Sequence, residues 1–315
     1  MNNKGLIITL ISVLSVIAVG LIVGMVLLMT KKFDFSFDFG KVKKLKLVAN
    51  YEAKVEEINK IDFNLYSTDV EIKESTDELI KVEYYSNKEK NADIKQEGNT
   101  IIVNEEEKGN YCIGFCFNNR KIVLYIPSTY EGMYSLETKS GDIVFEIDAS
   151  KSNIEIDTAS GDVLFKNAND VDILTISGDV KGEISNKTKI HSTSGDIKIK
   201  EAKESSDIKT TSGDIYVGKV TKTTINSISG DVKVDKVTES MNIKTVSGDV
   251  LVATLEMKQN SNINTTSGDV IINNNASNCY VEFDSTSGDK NVNHSDRKSD
   301  LILKVHTVSG DLLVD

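Results

Sequence analysis

The triplet Ser-Gly-Asp occurs ten times in the chain, at intervals of 17 to 22 residues. Recurrence at a short interval is typical of repeat proteins, in which each unit stacks only on its neighbours. The triplets begin at Ser140, Ser160, Ser177, Ser194, Ser212, Ser229, Ser247, Ser267, Ser287 and Ser309. The chain therefore builds one local structure ten times over, and a functional site has to be sought where residues depart from the needs of that structure.

Each triplet is flanked by side chains that alternate between apolar and polar. The residue four positions before the triplet Ser is apolar in all ten repeats, and the residue two positions before is Thr or Ser. The residue after Asp is a branched aliphatic in nine repeats, and Lys290 is the exception. A period of two predicts strands with one buried face, joined by a corner at which glycine supplies the backbone freedom. The sequence thus predicts an all-β fold, a single-stranded β-solenoid of about ten coils with the Thr/Ser column pointing inward.

The triplet aspartates account for most of the formal net charge of −11. Stacked about 5 Å apart, neighbouring carboxylates repel by about 0.8 kcal/mol even in water. Hydrogen bonds from corner N–H groups with hydration offset this repulsion, or divalent cations such as calcium do so along the column. The spacing of glycine-rich calcium-binding rolls is absent, which favours the solvated corner. The candidate metal ligands are Asp196, Asp214, Asp231, Asp249 and Asp269.

An uncharged apolar stretch, Leu6–Met29, is long enough to span a bilayer. It lacks a cleavage site of the usual kind, so we interpret it as an uncleaved signal anchor that forms one transmembrane helix. Lys31 and Lys32 count toward a cytoplasmic domain under the positive-inside rule, but large domains translocate largely regardless of such charges. The predicted division is a cytoplasmic tail (1–5), the anchor (6–29), a juxtamembrane segment (30–54), irregular leading β coils (55–133) and the regular solenoid (134–315).

The residues before the first triplet are less regular. Phe33–Phe39 alternates Phe with polar residues, which predicts a strand that packs on the first coil or lies in the membrane interface. The segment Ile61–Ile72 repeats the coil pattern with Thr68 in the glycine position, which indicates a degenerate coil. Further strands are predicted at Leu79–Tyr85, Thr100–Asn104 and Lys121–Ile126.

Cys112 and Cys116 are close enough in sequence for a local disulfide, and two free thiols are the alternative. No further Cys or His nearby completes a zinc site. The third cysteine, Cys279, is far away in the sequence.

The T-x-S-G-D-[VI]-x-[VI] repeat, the segment Ile61–Ile72, the strand that begins at Lys121 and the single apolar span resemble a bacterial "putative adhesin" β-strand-repeat family of unknown function. That family includes membrane-anchored accessory proteins of Lia-type envelope-stress operons. The resemblance covers roughly residues 55–315. It implies a right-handed β-solenoid held at the cell membrane and presented outside the cytoplasm, and it carries no catalytic residues with it.

Composition argues against catalysis and against nucleic-acid binding. The chain has three His, two Arg and no Trp, and it lacks a basic stripe. His191 and His306 each follow an inward position and are predicted to face outward. The expected function is a non-catalytic, membrane-anchored surface module that binds a protein or an envelope component. A self-associating structural scaffold is the alternative, and a polysaccharide-acting enzyme is the least favoured reading.

The C-terminal coil, Leu301–Asp315, is the last repeat in the sequence and has no capping helix after it. Leu303, Val305 and Leu312 are predicted to face inward, and Ile302 and Leu313 outward. An open strand edge with little charge tends to pair with another chain. The sequence therefore predicts self-association, or the binding of a partner, through this coil.

Overall fold

The computed structural model describes residues 45–87, 92–105 and 120–315, and Leu45–Asp315 is one compact unit. The predicted anchor Leu6–Met29, the segment Phe33–Phe39, and both Cys112 and Cys116 lie outside the described residues. Within those residues the one helical element is the 3-10 turn Val55–Glu57. No helix in this part of the chain is long and apolar enough to cross a membrane.

The described residues form 23 strands that join into one hydrogen-bonded sheet. The strands before the second triplet are β1 (Lys46–Lys54), β2 (Lys60–Asn64), β3 (Asp69–Glu74), β4 (Leu79–Ser86), β5 (Ala92–Glu97), β6 (Thr100–Glu105), β7 (Arg120–Ile126), β8 (Met133–Thr138), β9 (Ile143–Ala149) and β10 (Asn153–Thr158). Then come β11 (Val163–Ala168), β12 (Asp170–Thr175), β13 (Val180–Ser192), β14 (Ile197–Ser212), β15 (Ile215–Ser229), β16 (Val232–Ser247) and β17 (Val250–Leu255). The last are β18 (Ser261–Ser267), β19 (Val270–Ile272), β20 (Tyr280–Ser287), β21 (Lys290–Val292), β22 (Ile302–Ser309) and β23 (Leu312–Val314). The predicted all-β solenoid is confirmed.

Each coil has one strand before its triplet and one after it. The strands stack in parallel and in register, so Ile208 pairs with Ile190 on one side and with Ile225 on the other. The continuous sheet folds at the triplets into two layers. We call the strands before the triplets the pre-corner sheet and the strands after them the post-corner sheet. In β13 to β16 a post-corner strand runs directly into the pre-corner strand of the next coil.

The core lies between the two sheets. The aliphatic residues on both sides of the triplets are buried, as the alternation predicts, and Ile208, Ile225 and Val217 are fully inaccessible. The Thr/Ser column also faces inward, with Thr158 and Thr175 1% exposed. Burying one such aliphatic side chain contributes about 1.5–3 kcal/mol, so the column of Ile and Val residues is the main source of stability.

The order of the coils differs from chain order at the N-terminal end of the stack. The degenerate coil β2–β3 lies on β8 and β9, and its other side is covered by β6 and β7, which come later in the chain. Strand β5 then pairs antiparallel with β6, and β4 pairs antiparallel with β7 and β1. This end of the stack therefore finishes in antiparallel strands.

The C-terminal end corrects the prediction made for Leu301–Asp315. Strand β22 pairs with β18 on one side and with β20 on the other, and β23 likewise lies between β19 and β21. The last coil of the sequence is therefore an internal layer, and the coil of the Ser287 triplet is the outermost. The inward and outward residues of the C-terminal coil are as predicted. Both edges of β22 and of β23 are paired within the chain, so the open edge on which the predicted self-association rested does not exist in these strands.

Candidate functional site

The triplet aspartates form one continuous column, which we call the Asp file, along the edge where the two sheets meet. The backbone N–H of Asp214 donates to the carboxylate of Asp196 at 2.9 Å, and the N–H of Asp231 donates to Asp214 at the same distance. Asp249 and Asp269 continue the pattern at 2.9 and 2.8 Å. The Asp file thus satisfies corner N–H groups, as one sequence hypothesis proposed. The donor belongs to the neighbouring coil, whereas an Asx turn would have used the N–H of the same corner.

The five candidate metal ligands of the file are all exposed to solvent. Among the described residues, no three His, Cys, Asp or Glu side chains converge closely enough to hold a metal ion. Asp69 stands at the N-terminal end of the file, where burial raises the pKa of its carboxyl, the Asp142 N–H opposes that shift and the Asp142 charge adds to it. Calcium binding by the file stays a prediction.

The hydroxyl column behind the file is used differently along the stack, and Ser192 and Thr210, for example, donate to the carbonyls of Ser194 and Ser212. Thr138, Thr158 and Thr175 accept the N–H of the glycine in their own triplet at 3.1 to 3.2 Å. Farther along the stack the glycine N–H instead reaches a serine carbonyl of the next coil, as Gly230 does with Ser247 at 3.2 Å. Five buried hydroxyls then have no hydrogen-bond partner among the described protein atoms, namely those of Ser227, Thr245, Thr265, Ser285 and Thr307.

A second column faces outward at the same edge and was not singled out from the sequence. It consists of the residue between the buried Thr or Ser and the triplet Ser, and we call it the corner stripe. Ile176, Ile228, Val246 and Val308 of this stripe are 56%, 53%, 49% and 43% exposed. Thr193, Thr211, Thr266 and Thr286 fill the positions between and beside them, and all four are exposed. The period-two pattern places this column outside, so its aliphatic content was visible in the sequence.

The pre-corner sheet also carries a shallow groove of about 680 Å³. Its floor is formed by small polar residues such as Thr188 and Ser206, where larger aliphatics fill other coils. Charges along the groove pair between adjacent coils, with Lys189 Nζ at 2.7 Å from Asp172. These ion pairs are exposed to solvent, so they contribute little to stability. They also join groove residues to one another, so they present no strong net charge to a ligand.

The remaining residues considered from the sequence do not assemble into a reactive centre. His306 faces outward, as predicted, and its Nδ1 lies 3.1 Å from an Asp284 carboxylate oxygen. His191 occupies an outward register position between Leu174 and Lys209. Cys279 is a buried free thiol whose pKa is raised by burial, although the Asn275 amide works against that shift.

The family profile of Toastrack DUF4097 matches residues 58–223 and 218–315 of the chain. The chain belongs to this family. The match confirms the resemblance inferred from the triplets and covers the degenerate coil as well as all ten Ser-Gly-Asp repeats. No curated protein matches the chain.

Solved structures similar to this Toastrack protein have low sequence identity to it. A "putative adhesin" of Bacteroides fragilis is 16% identical, with 87% of this chain and 98% of that chain covered and a TM-score of 0.36. A "putative adhesin" of Parabacteroides distasonis is 12% identical over the same shares, with a TM-score of 0.45. A "putative lipid binding protein" from the same species is 14% identical, covers 85% and 96%, and has a TM-score of 0.42.

Proposed function

We propose that the protein is a non-catalytic surface module, anchored in the membrane by Leu6–Met29, whose solenoid binds a protein or an envelope component outside the cytoplasm. The observation that supports binding is the corner stripe. It places aliphatic and hydroxyl side chains at a regular spacing on a rigid edge, with Ile228 and Val246 on adjacent coils, and exposed apolar residues gathered on one surface are a feature of interaction sites. The backbone of the stripe is bonded from coil to coil, with the Ile176 N–H donating to the Thr158 carbonyl at 3.2 Å and its carbonyl accepting from Ser194 at 2.7 Å, so binding there costs little conformational entropy.

Binding is tested with the full-length chain in detergent and isolated envelope fragments of the producing cell. The variant Ile228→Lys/Val246→Lys places two charges on the stripe, and we expect it to lower the affinity by about tenfold or more, equivalent to about 1.4 kcal/mol. The matched control is Leu47→Lys/Leu164→Lys, which changes two comparably exposed aliphatics outside the stripe. Equal losses in the two variants, or no loss in either, would remove the stripe from the proposal.

The location is tested separately by adding a protease to intact cells and to lysed cells. A solenoid outside the cytoplasm is cut in both samples. If the domain survives in intact cells and is cut only after lysis, the proposal of a surface module fails, whatever the stripe binds.

A further inference from the structure

The outermost coil, residues 277–299, closes one end of the stack, and its strand β20 pairs with β22 and with no other strand of the described residues. The N–H of Tyr280 donates to the Leu301 carbonyl on that inner side. Since N–H and C=O groups alternate in direction along a strand, those of Val281 point to the open side. An open edge of this kind is a template for pairing with another chain.

Side chains and backbone of the same coil occupy the groups on this open edge. The Val281 N–H donates to Ser295 Oγ at 2.9 Å, and the Val281 carbonyl accepts from Lys290 Nζ at 3.0 Å. Just before them, the Cys279 carbonyl accepts the N–H of Asp296 at 3.0 Å. The first half of the edge is therefore covered by Lys290 and by the segment that follows β21.

Lys290 is also the one exception in the inward column of aliphatics that follows the triplets. It pairs with the buried Leu312, so its side chain starts at a core position of the post-corner sheet. Its ammonium reaches Val281 in the pre-corner sheet, which means that the side chain lies across the open end of the core. A coil stacked on this end would bury that ammonium, and burying a charge without a partner is strongly unfavourable.

The C-terminal coil has Leu312 at the position of Lys290, and it is stacked on both sides. It stacks on the Ser267 coil although the outermost coil separates the two in the sequence, with Val305 paired to Ile263 and Leu312 paired to Val270. Stacking therefore follows the side-chain pattern and does not require consecutive coils. Paired strands keep their inward side chains on the same face in either direction, so a coil of another molecule with the same alternation can also meet this requirement in an antiparallel pair.

We propose that the outer face of residues 277–299 is a latent interface for a second copy of this chain, and that Lys290 and Ser295 keep it closed. The opposite end of the stack finishes in β5 on one side and in β1 on the other, and neither strand belongs to a coil with a Ser-Gly-Asp corner. The proposed pairing is therefore between the outermost coils of two molecules. A two-fold arrangement pairs β20 with β20 of the second copy in antiparallel orientation and closes at the dimer.

The test is the mass of the full-length chain in detergent, measured by light scattering after size exclusion over a range of concentrations. We expect wild type to be a monomer and Lys290→Val/Ser295→Ala to double in mass as concentration rises. The change to Val restores the residue type found in the other coils, so the variant should fold. Lys244→Val is the control, because it removes an exposed lysine from an outward position of an internal coil.

A third variant locates the interface. Adding Val292→Lys to the double variant puts a charge back on the same end of the core, two residues from position 290, and should restore the monomer. A double variant that stays monomeric with an unchanged unfolding temperature overturns the proposal. So does a wild type that is already dimeric, an open-ended polymer, or a dimer that Val292→Lys leaves intact.

Discussion

The glycine of each triplet lies against the backbone of the coil beneath it. A Cβ on Gly161 would stand 1.9 Å from the carbonyl oxygen of Gly141, and a Cβ on Gly230 would stand 2.3 Å from that of Gly213. Gly230 also has a φ of +119°, where side chains are strained. Corner glycines are thus required for close approach of the stacked backbones, and from Gly195 on most are required for their dihedral angle as well.

Three alanine substitutions separate the two requirements. Gly98→Ala introduces strain alone, because Gly98 has a φ of +60° and nothing within 4 Å of a Cβ. Gly161→Ala introduces the close approach alone, and Gly230→Ala introduces both. We expect the smallest loss of stability for Gly98→Ala, about 1–3 kcal/mol, and the largest for Gly230→Ala, measured by circular dichroism during thermal unfolding. A Gly161→Ala chain as stable as wild type would show that the coils can move apart.

At the level of strands, the repeat pattern predicted the faces but not the order. Period-two alternation shows which side of a strand is buried, so Val305 and Leu312 were correctly placed inward. It does not choose a neighbour, because Val305 fits beside Ile263 and beside Phe283 equally well and here pairs with both. Strand direction is also absent from the pattern, so β4 was predicted as a strand without its antiparallel pairing, and β5 was not predicted at all.

The order of the strands predicts an unusual distribution of hydrogen exchange. Strand β22 is near the chain terminus, but it is paired on both sides, whereas β20 is paired with β22 alone among the described strands. We expect the β22 amides to exchange more slowly than those of β20 by about tenfold or more, because an internal layer opens only after the outer one. A chain ending at residue 300 should lose protection in β20 as well. Faster exchange in β22 than in β20 would contradict the inserted coil.

At the scale of the whole stack, the Asp file concentrates negative charge on one edge. In every coil the carboxylate of one member accepts the backbone N–H of the next. At one end the Asp142 N–H donates to Asp69 at 3.1 Å, and at the other the Asp289 N–H donates to Asp311 at 2.8 Å. Neighbouring carboxylates repel, and their exposure lets dissolved ions screen that repulsion. The aliphatic core holds the stack together, and the repulsion within the file opposes it. The stability of the stack is therefore expected to increase with ionic strength, because dissolved ions weaken that repulsion.

This charge distribution leads to a test of calcium against simple screening. We expect the Tm of the full-length chain to rise with NaCl, and calcium at equal ionic strength to raise it no further, because the Asp carboxylates already accept backbone N–H groups and do not converge in threes.

Asp231→Asn keeps an oxygen for the Asp249 N–H while removing a charge, so it should weaken the salt dependence with little loss of Tm. Asp231→Ala removes that acceptor as well and should cost about 1–3 kcal/mol. A Tm several degrees higher in calcium than in NaCl, and lost in Asp231→Asn, would instead show cations bound along the file through linkage.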